Sequence, residues 1–281
     1  MGLFGERKIV LAMGGGSARG LANIGVLKVL EKHFGRDNLP FDMVIGTSIG
    51  SLLGAGYCMG ITPEELEKIA LNFNWPTIVD LGFYYTGLLK GDKLENIISN
   101  IFKGKSFSDM KIPFALTTTD IETGEELVYT SGDLVKLIRA SCSWPGIFSG
   151  VEIDGRLLVD GGVRNSIPTK MAHKLGATFI VAVNPGFAVK RQKVNNALKA
   201  LVQAIQIMGE ELNAYQTRAA QVAINPELKD IDQFDYEKGR FIIRQGELAA
   251  EKVIGKLKRR LWMHSLGVPT RCTGFHDDDN A

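Results

Sequence analysis

A chain of 281 residues with 45% hydrophobic and 23% charged residues is long enough for a large globular domain with a sizeable core. Its 33 Lys and Arg against 31 Asp and Glu leave a net charge of +2, too balanced for a nucleic-acid surface, and no basic run is interleaved with aromatics. The three cysteines, Cys58, Cys142 and Cys272, have no CxxC spacing, which argues against a disulfide framework or a zinc site and fits a reducing compartment. The apolar run Lys8 to Met13 is too short for a signal-peptide core, and no stretch reaches the roughly 18 apolar residues of a membrane span. A cytoplasmic protein is expected, touching membranes from outside if at all.

Short apolar runs alternate with longer helical patterns, the signature of βα units around a mainly parallel sheet. Lys8 to Met13 reads as a strand, followed by a glycine turn and a helix over Ala18 to Phe34 with Leu21, Ile24, Leu27 and Leu30 on one face. Asp42 to Gly46 is a second strand, and a helix of small residues starts at Ser48. Pro63 opens another helix at its first turn. Residues 73–90 fit neither period. A helix is expected over Asp92 to Phe102, a strand over Pro113 to Ile121, a hairpin turn at Gly124 into Glu126 to Thr130, and a helix over Asp133 to Cys142. Strands follow at Leu157 to Val159, Thr178 to Asn184 and Gln221 to Asn225, with long helices over Asn195 to Asn213 and Tyr236 to His264. No repeat or linker divides the chain, so one domain is expected over residues 1–265. Residues 266–281, ending in Asp277-Asp278-Asp279-Asn280, are expected to be a poorly ordered tail.

Gly46-Thr47-Ser48-Ile49-Gly50 fits a nucleophile elbow, a tight strand-to-helix turn that projects a serine Oγ while crowding the backbone on both sides. The alternative is a close-packed βα turn with no chemistry. A second glycine turn, Gly14-Gly15-Gly16-Ser17-Ala18-Arg19-Gly20, also lies between a strand and a helix and offers backbone N–H donors. As a dinucleotide motif it fails, because the required third glycine falls on Arg19, or the second on Ser17; as an oxyanion loop it fits. A structural glycine turn stays open. Asp160-Gly161-Gly162 after a strand places a carboxylate where two glycines allow close approach, as a general base requires, although Asp-Gly is also a common turn. The four histidines, His33, His173, His264 and His276, do not stand in a loop after a strand, so a Ser-Asp dyad is simpler than a triad through His173 or His264.

Together these pieces resemble the patatin-like phospholipase family, particularly its bacterial cytoplasmic members. The family's Gly-Gly-Gly-x-x-Arg-Gly loop is matched by Gly14 to Gly20, its Gly-x-Ser-x-Gly by Gly46 to Gly50, and its Asp-Gly-Gly/Ala by Asp160 to Gly162. Its Ala-Ser-x-x-x-Pro is matched by Ala140 to Pro145, and Asn165, Pro168 and Thr119 to Glu125 also stand where such proteins carry similar residues. The resemblance implies a three-layer α/β/α fold and a lipid acyl-hydrolase. Ser48 is then the nucleophile and Asp160 the base, with Gly14, Gly15 and Gly16 as oxyanion donors, helped by Ile49. Arg19 is expected to brace the loop or stand near substrate, and Ser141 and Pro145 to shape the floor.

The substrate implied is a phospholipid, lysophospholipid or other acyl ester. Acyl transfer by the same residues, or a non-catalytic lipid-binding role, are the alternatives. Asp80 to Lys90, with Phe83, Tyr84 and Tyr85, is either a lid or core, and the basic end from Lys252 to Met263 is either a lipid-facing patch or a solvated helix face. No cofactor is expected, and no metal, because the scattered Asp and His residues lack ligand spacing.

Overall fold

A computed structural model describes residues 7–72, 80–84, 87–187, 189, 193–229 and 231–272. The first βαβ unit is β1 (Ile9–Met13), a 3-10 turn (Ser17–Leu21), α1 (Ala22–Phe34) and β2 (Met43–Thr47). α2 (Ile49–Cys58) and α3 (Pro63–Leu71) follow. α3 starts where its sequence says it should: the Thr62 side chain accepts from the Glu65 N–H and Glu65 answers the Thr62 N–H, with Pro63 at the first helical position. Next come β3 (Leu81–Tyr84), β4 (Gly87–Leu89), α4 (Asp92–Phe102), β5 (Phe114–Asp120), β6 (Glu126–Tyr129) and α5 (Leu134–Ser141). The chain continues through β7 (Gly146–Phe148), β8 (Val151–Ile153), β9 (Arg156–Asp160), α6 (Gly162–Asn165), α7 (Thr169–Lys174) and β10 (Phe179–Val183). It closes with α8 (Ala197–Arg218), β11 (Val222–Ile224) and α9 (Gly239–Ser265).

The main sheet runs β11-β10-β1-β2-β5-β9-β8, with β6 also on β5. β11, β10, β1, β2 and β5 are parallel, and β6, β8 and β9 are antiparallel to their neighbours. The central strands are apolar on both faces because both are covered. Leu11, Met13, Val181 and Val183 face a large core with α1, α2, α4, α5 and α9. Val10, Ala12, Ile180 and Ala182 face a smaller one with Ile167, Met171 and Ala172, on the side of α7. This is the expected three-layer α/β/α architecture.

Two details differ from the sequence expectation. The helix expected from Ala18 begins as a 3-10 turn, because Gly16 and Ser17, at φ 137° and 52°, delay regular α geometry until Ala22. The aperiodic 73–90 stretch contributes β3 and β4, which join β7 in a small second sheet. Leu89 is buried in the main core, whereas residues 73–79, Tyr85 and Thr86 and the side chains of 81–84 lie outside the described residues.

The basic end of α9 is partly structural. Leu257 is fully buried, Lys258 lies over the Phe34 ring at 5.5 Å, and Arg260 donates to the carbonyls of Gln221 and, at 3.0 Å, Arg271. Gln221 also reaches the Cys272 sulfur at 3.3 Å, and the rest of the expected tail lies outside the described residues. Among the described residues no helix is long and apolar enough to cross a membrane.

Candidate active site

Ser48 stands between β2 and α2 at φ 55° and ψ −129°, a conformation that costs a non-glycine residue roughly 1–3 kcal/mol. The surroundings hold it there. Its N–H donates to Ser141 Oγ at 2.9 Å, and Ser141 Oγ donates in turn to the Thr117 carbonyl at 2.8 Å. Its carbonyl accepts the Ser51 N–H at 2.7 Å and Ser51 Oγ at 2.6 Å, so the first turn of α2 grows from Ser48. A glycine is required at position 50, where a Cβ would fall 2.3 Å from the Met13 carbonyl oxygen.

Asp160 is set beside Ser48 by strand register. β5 pairs with β2 through Phe114 to Thr117, ending at Thr47 opposite Thr117, and with β9 from Thr118, which stands opposite Asp160. β6 occupies the other edge of β5 over Leu116 to Thr119, so β2 and β9 lie end to end on one edge. The residue after Thr47 therefore meets Asp160. Ser48 Oγ donates to Asp160 Oδ2 at 2.6 Å, and the Gly162 N–H donates to Oδ1 at 2.7 Å, the geometry that Asp-Gly-Gly makes possible. Asp160 is 8% exposed, and burial pushes its carboxyl up to about 6, against the opposing pull of the hydrogen bonds from Ser48 and Gly162. Such a carboxylate is still ionised at neutral pH and is a better proton acceptor than one in water.

The glycine loop corrects one expectation. The Gly14 N–H donates to the Val183 carbonyl at 3.0 Å and the Gly15 N–H to the Ser166 carbonyl at 2.9 Å, so neither faces the cavity. Gly14 is held because it continues the pairing of β1 with β10, and Gly15 because its N–H is taken by Ser166 at the end of α6. Gly14 and Gly15 allow close approach instead: a Cβ on Gly15 would press on Ser48 Cβ at 3.1 Å. Of the expected donors, the Gly16 N–H has no acceptor among the described residues, and Ile49, first in α2, has no intrahelical acceptor for its N–H. Both residues line the cavity beside Ser48.

Arg19 is 4% exposed and spends its guanidinium on main-chain carbonyls, those of Pro185, Gly186, Leu228 and Ile231. Burial lowers its pKa to about 10, which leaves it charged. It ties the loops after β10 and β11 to the glycine turn. Arg139, which sequence reasoning passed over, does the same on the other side: 2% exposed, it donates to the carbonyls of Lys90, Gly91 and Ser149 and to Ser143 Oγ, with its guanidinium over the Phe148 ring.

Ser48 and Asp160 open on a cavity of about 140 Å³. Its wall is almost wholly apolar, formed by Leu52, Leu66, Ile97 and Ile101 on one side and by Trp144 and Phe234, stacked at 5.9 Å, on the other. Cys142 also lines it, but burial raises its thiol to about 12, so it stays protonated. The described histidines stand elsewhere: His33 pairs with Glu251, His173 with the Ala219 carbonyl and His264 with Thr178.

A family model for patatin-like phospholipases matches residues 11–173, from β1 through the glycine loop, Ser48 and Asp160 into α7. The chain belongs to the patatin-like phospholipase family. Patatin-like phospholipase domain-containing protein 7 of Rattus norvegicus is 34% identical over 186 residues, which is 63% of this chain and 14% of that protein. Neuropathy target esterase sws of Drosophila melanogaster is 35% identical over 63% of this chain and 13% of its own length. Lysophospholipase NTE1 of Scheffersomyces stipitis is 30% identical over 69% of this chain and again 13% of its own. The chain thus spans about a seventh of the length of these relatives, the part that is patatin-like. The crystal structure of VipD from Legionella pneumophila shares the fold, with a TM-score of 0.64 at 12% identity over 89% of this chain and 67% of that one.

Proposed function

We propose that the protein hydrolyses carboxylic ester bonds of lipids, phospholipids or lysophospholipids, through an acyl-enzyme on Ser48 with Asp160 as the only general base. The observation that carries this is the 2.6 Å hydrogen bond from Ser48 Oγ to a buried carboxylate, set in an apolar cavity that no described histidine lines. The family and the phospholipase, esterase and lysophospholipase names of its relatives support the same substrate class.

In the first half-reaction Ser48 Oγ attacks the ester carbonyl as its proton passes to Asp160 Oδ2. The carbonyl oxygen becomes an oxyanion held by the N–H groups of Gly16 and Ile49, each such donor being worth roughly 3–4 kcal/mol of barrier. The C–O bond breaks, Asp160 returns the proton to the leaving alcohol, and the acyl group stays on Ser48. Water then attacks the acyl-enzyme, giving its proton to Asp160, and the fatty acid leaves as Ser48 Oγ is reprotonated. The apolar wall receives the acyl chain, and contact with a lipid surface follows from the substrate.

Ser48→Ala and Asp160→Asn are expected to abolish p-nitrophenyl ester and lysophospholipid hydrolysis. His173→Ala and His264→Ala should retain it, and a fluorophosphonate should label Ser48. Loss of activity in a folded histidine variant would replace the dyad with a triad.

A further inference from the structure

α8 buries polar residues while leaving its largest apolar stripe exposed. Its inward side carries Gln206 and Asn213, 2% and 4% exposed, whose amide oxygens have no partner among the described residues. Between them lies Gly209, where a Cβ would come 2.7 Å from the Phe187 ring. Its outward side carries Leu201, Ile207, Met208, Leu212 and Tyr215, between 40% and 62% exposed. Leu201, Met208, Leu212 and Tyr215 follow helical spacing and form one stripe, widened by the exposed Ala197 and Ala204. A helix on a water-facing surface turns its apolar stripe to the core, so the reversed order implies an apolar medium on the outer side.

We propose that the outer face of α8 docks the protein onto a lipid surface with anionic headgroups, next to the acyl cavity. The inference rests on the lipid-ester function proposed above. Three observations select this occupant. Ile205 of α8 lines the cavity, as does Phe187, which packs on Gly209, so stripe and cavity share one helix and substrate leaving a lipid layer has a short way to Ser48. Tyr215 is 62% exposed with the Arg218 guanidinium 5.6 Å above its ring, an aromatic and a cation paired as suits the headgroup level. Exposed Lys193 stands just before the helix and exposed Arg218 at its end, while Glu211 is the single acid on the striped face among the described residues. Cations flanking an apolar centre complement lipid phosphates.

The test is flotation of the full chain with vesicles of mixed phosphatidylcholine and phosphatidylglycerol. The wild type should float, and the double variant Leu201→Glu/Met208→Glu should bind about tenfold more weakly or worse. Hydrolysis of a water-soluble p-nitrophenyl ester by that variant should be unchanged, which also reports that it is folded. The milder Leu201→Gln/Met208→Gln should give the same direction. Equal flotation of wild type and variants, or no flotation of the wild type, overturns the proposal. So does a wild-type dimer in sedimentation that these substitutions convert to monomers, since a second copy would then cover the face. Ser48→Ala should float like the wild type; vesicle binding without hydrolysis of any ester would sink the hydrolase function and leave the docking surface standing.

Discussion

α8 and α9 are the longest described helices, 22 and 27 residues, and they meet the rest of the protein in opposite ways. α9 buries Ile242, Ile243, Ala249, Ala250 and Leu257, and its crossing with α1 is so close that a Cβ on Gly246 would fall 2.0 Å from the Ala22 carbonyl oxygen. α8 instead turns amides inward and holds on by polar contacts: Gln216 accepts from the Ile167 N–H at 3.0 Å, and Asn213 donates to Asn184 at 3.3 Å. α9 sends an apolar stripe into the core and exposes Phe241, Leu248 and Trp262 beside it; α8 exposes Leu201, Ile207, Met208, Leu212 and Tyr215.

Substitutions break or sharpen this contrast. The largest effect is expected from Gly246→Val, which drives carbon atoms into the α1 backbone and should cost about 3 kcal/mol or more, read as a fall in the urea midpoint. An unchanged midpoint would mean that α9 is held no more tightly than α8. At the site itself, Ser141→Ala leaves the Ser48 N–H without its acceptor while touching neither helix. Its kcat should fall roughly tenfold to a hundredfold with KM little changed, about 1–3 kcal/mol for an unsatisfied buried donor. A rise in KM alone would assign Ser141 to substrate binding.

The pH profile should show a smaller effect. A base raised to about 6 is ionised above that value, so kcat/KM should be flat at neutral pH, halve near pH 6 and fall about tenfold per unit below it. A profile with no acid limb near 6 would contradict the burial of Asp160. The smallest effect is expected on the outer face of α8, where Met208→Gln should leave thermal stability within about 0.5 kcal/mol. A large loss there would show that the stripe packs against the protein itself.

The two residues that meet at the cavity were legible in the sequence because each depends on a local device: a glycine-bounded turn at Ser48, a strand end released by two glycines at Asp160. The glycine loop was legible as a loop but not in its hydrogen bonds, since whether Gly14 and Gly15 are free depends on Val183 and Ser166, far along the chain. β3, β4, β7 and β8 were missed because strands of three or four residues carry little period, and these lack the flanking turn or apolar run that marked β6 and β11. Arg139 gave no signal, because a buried arginine serving main-chain carbonyls looks in sequence like any helix-surface cation. For α8 the periodicity announced a helix, but the pattern alone did not say which face the fold would cover.

β5 brings Ser48 and Asp160, 112 residues apart in sequence, together through its hydrogen-bond ladder. A slip of one residue by β9 would carry Asp160 about 3.3 Å along β5 and turn its carboxylate to the opposite face of the sheet. Reactivity toward a fluorophosphonate is thus an all-or-none gauge of sheet registry, usable to follow refolding without any spectroscopic probe. Segments looping out between the two strands can also lengthen or shorten without moving the dyad, because closing a longer loop costs little. The part of the cavity wall that those segments supply, Leu52, Leu66, Ile97, Ile101 and Trp144, can therefore be redesigned for a new acyl chain while Ser48 and Asp160 stay in place.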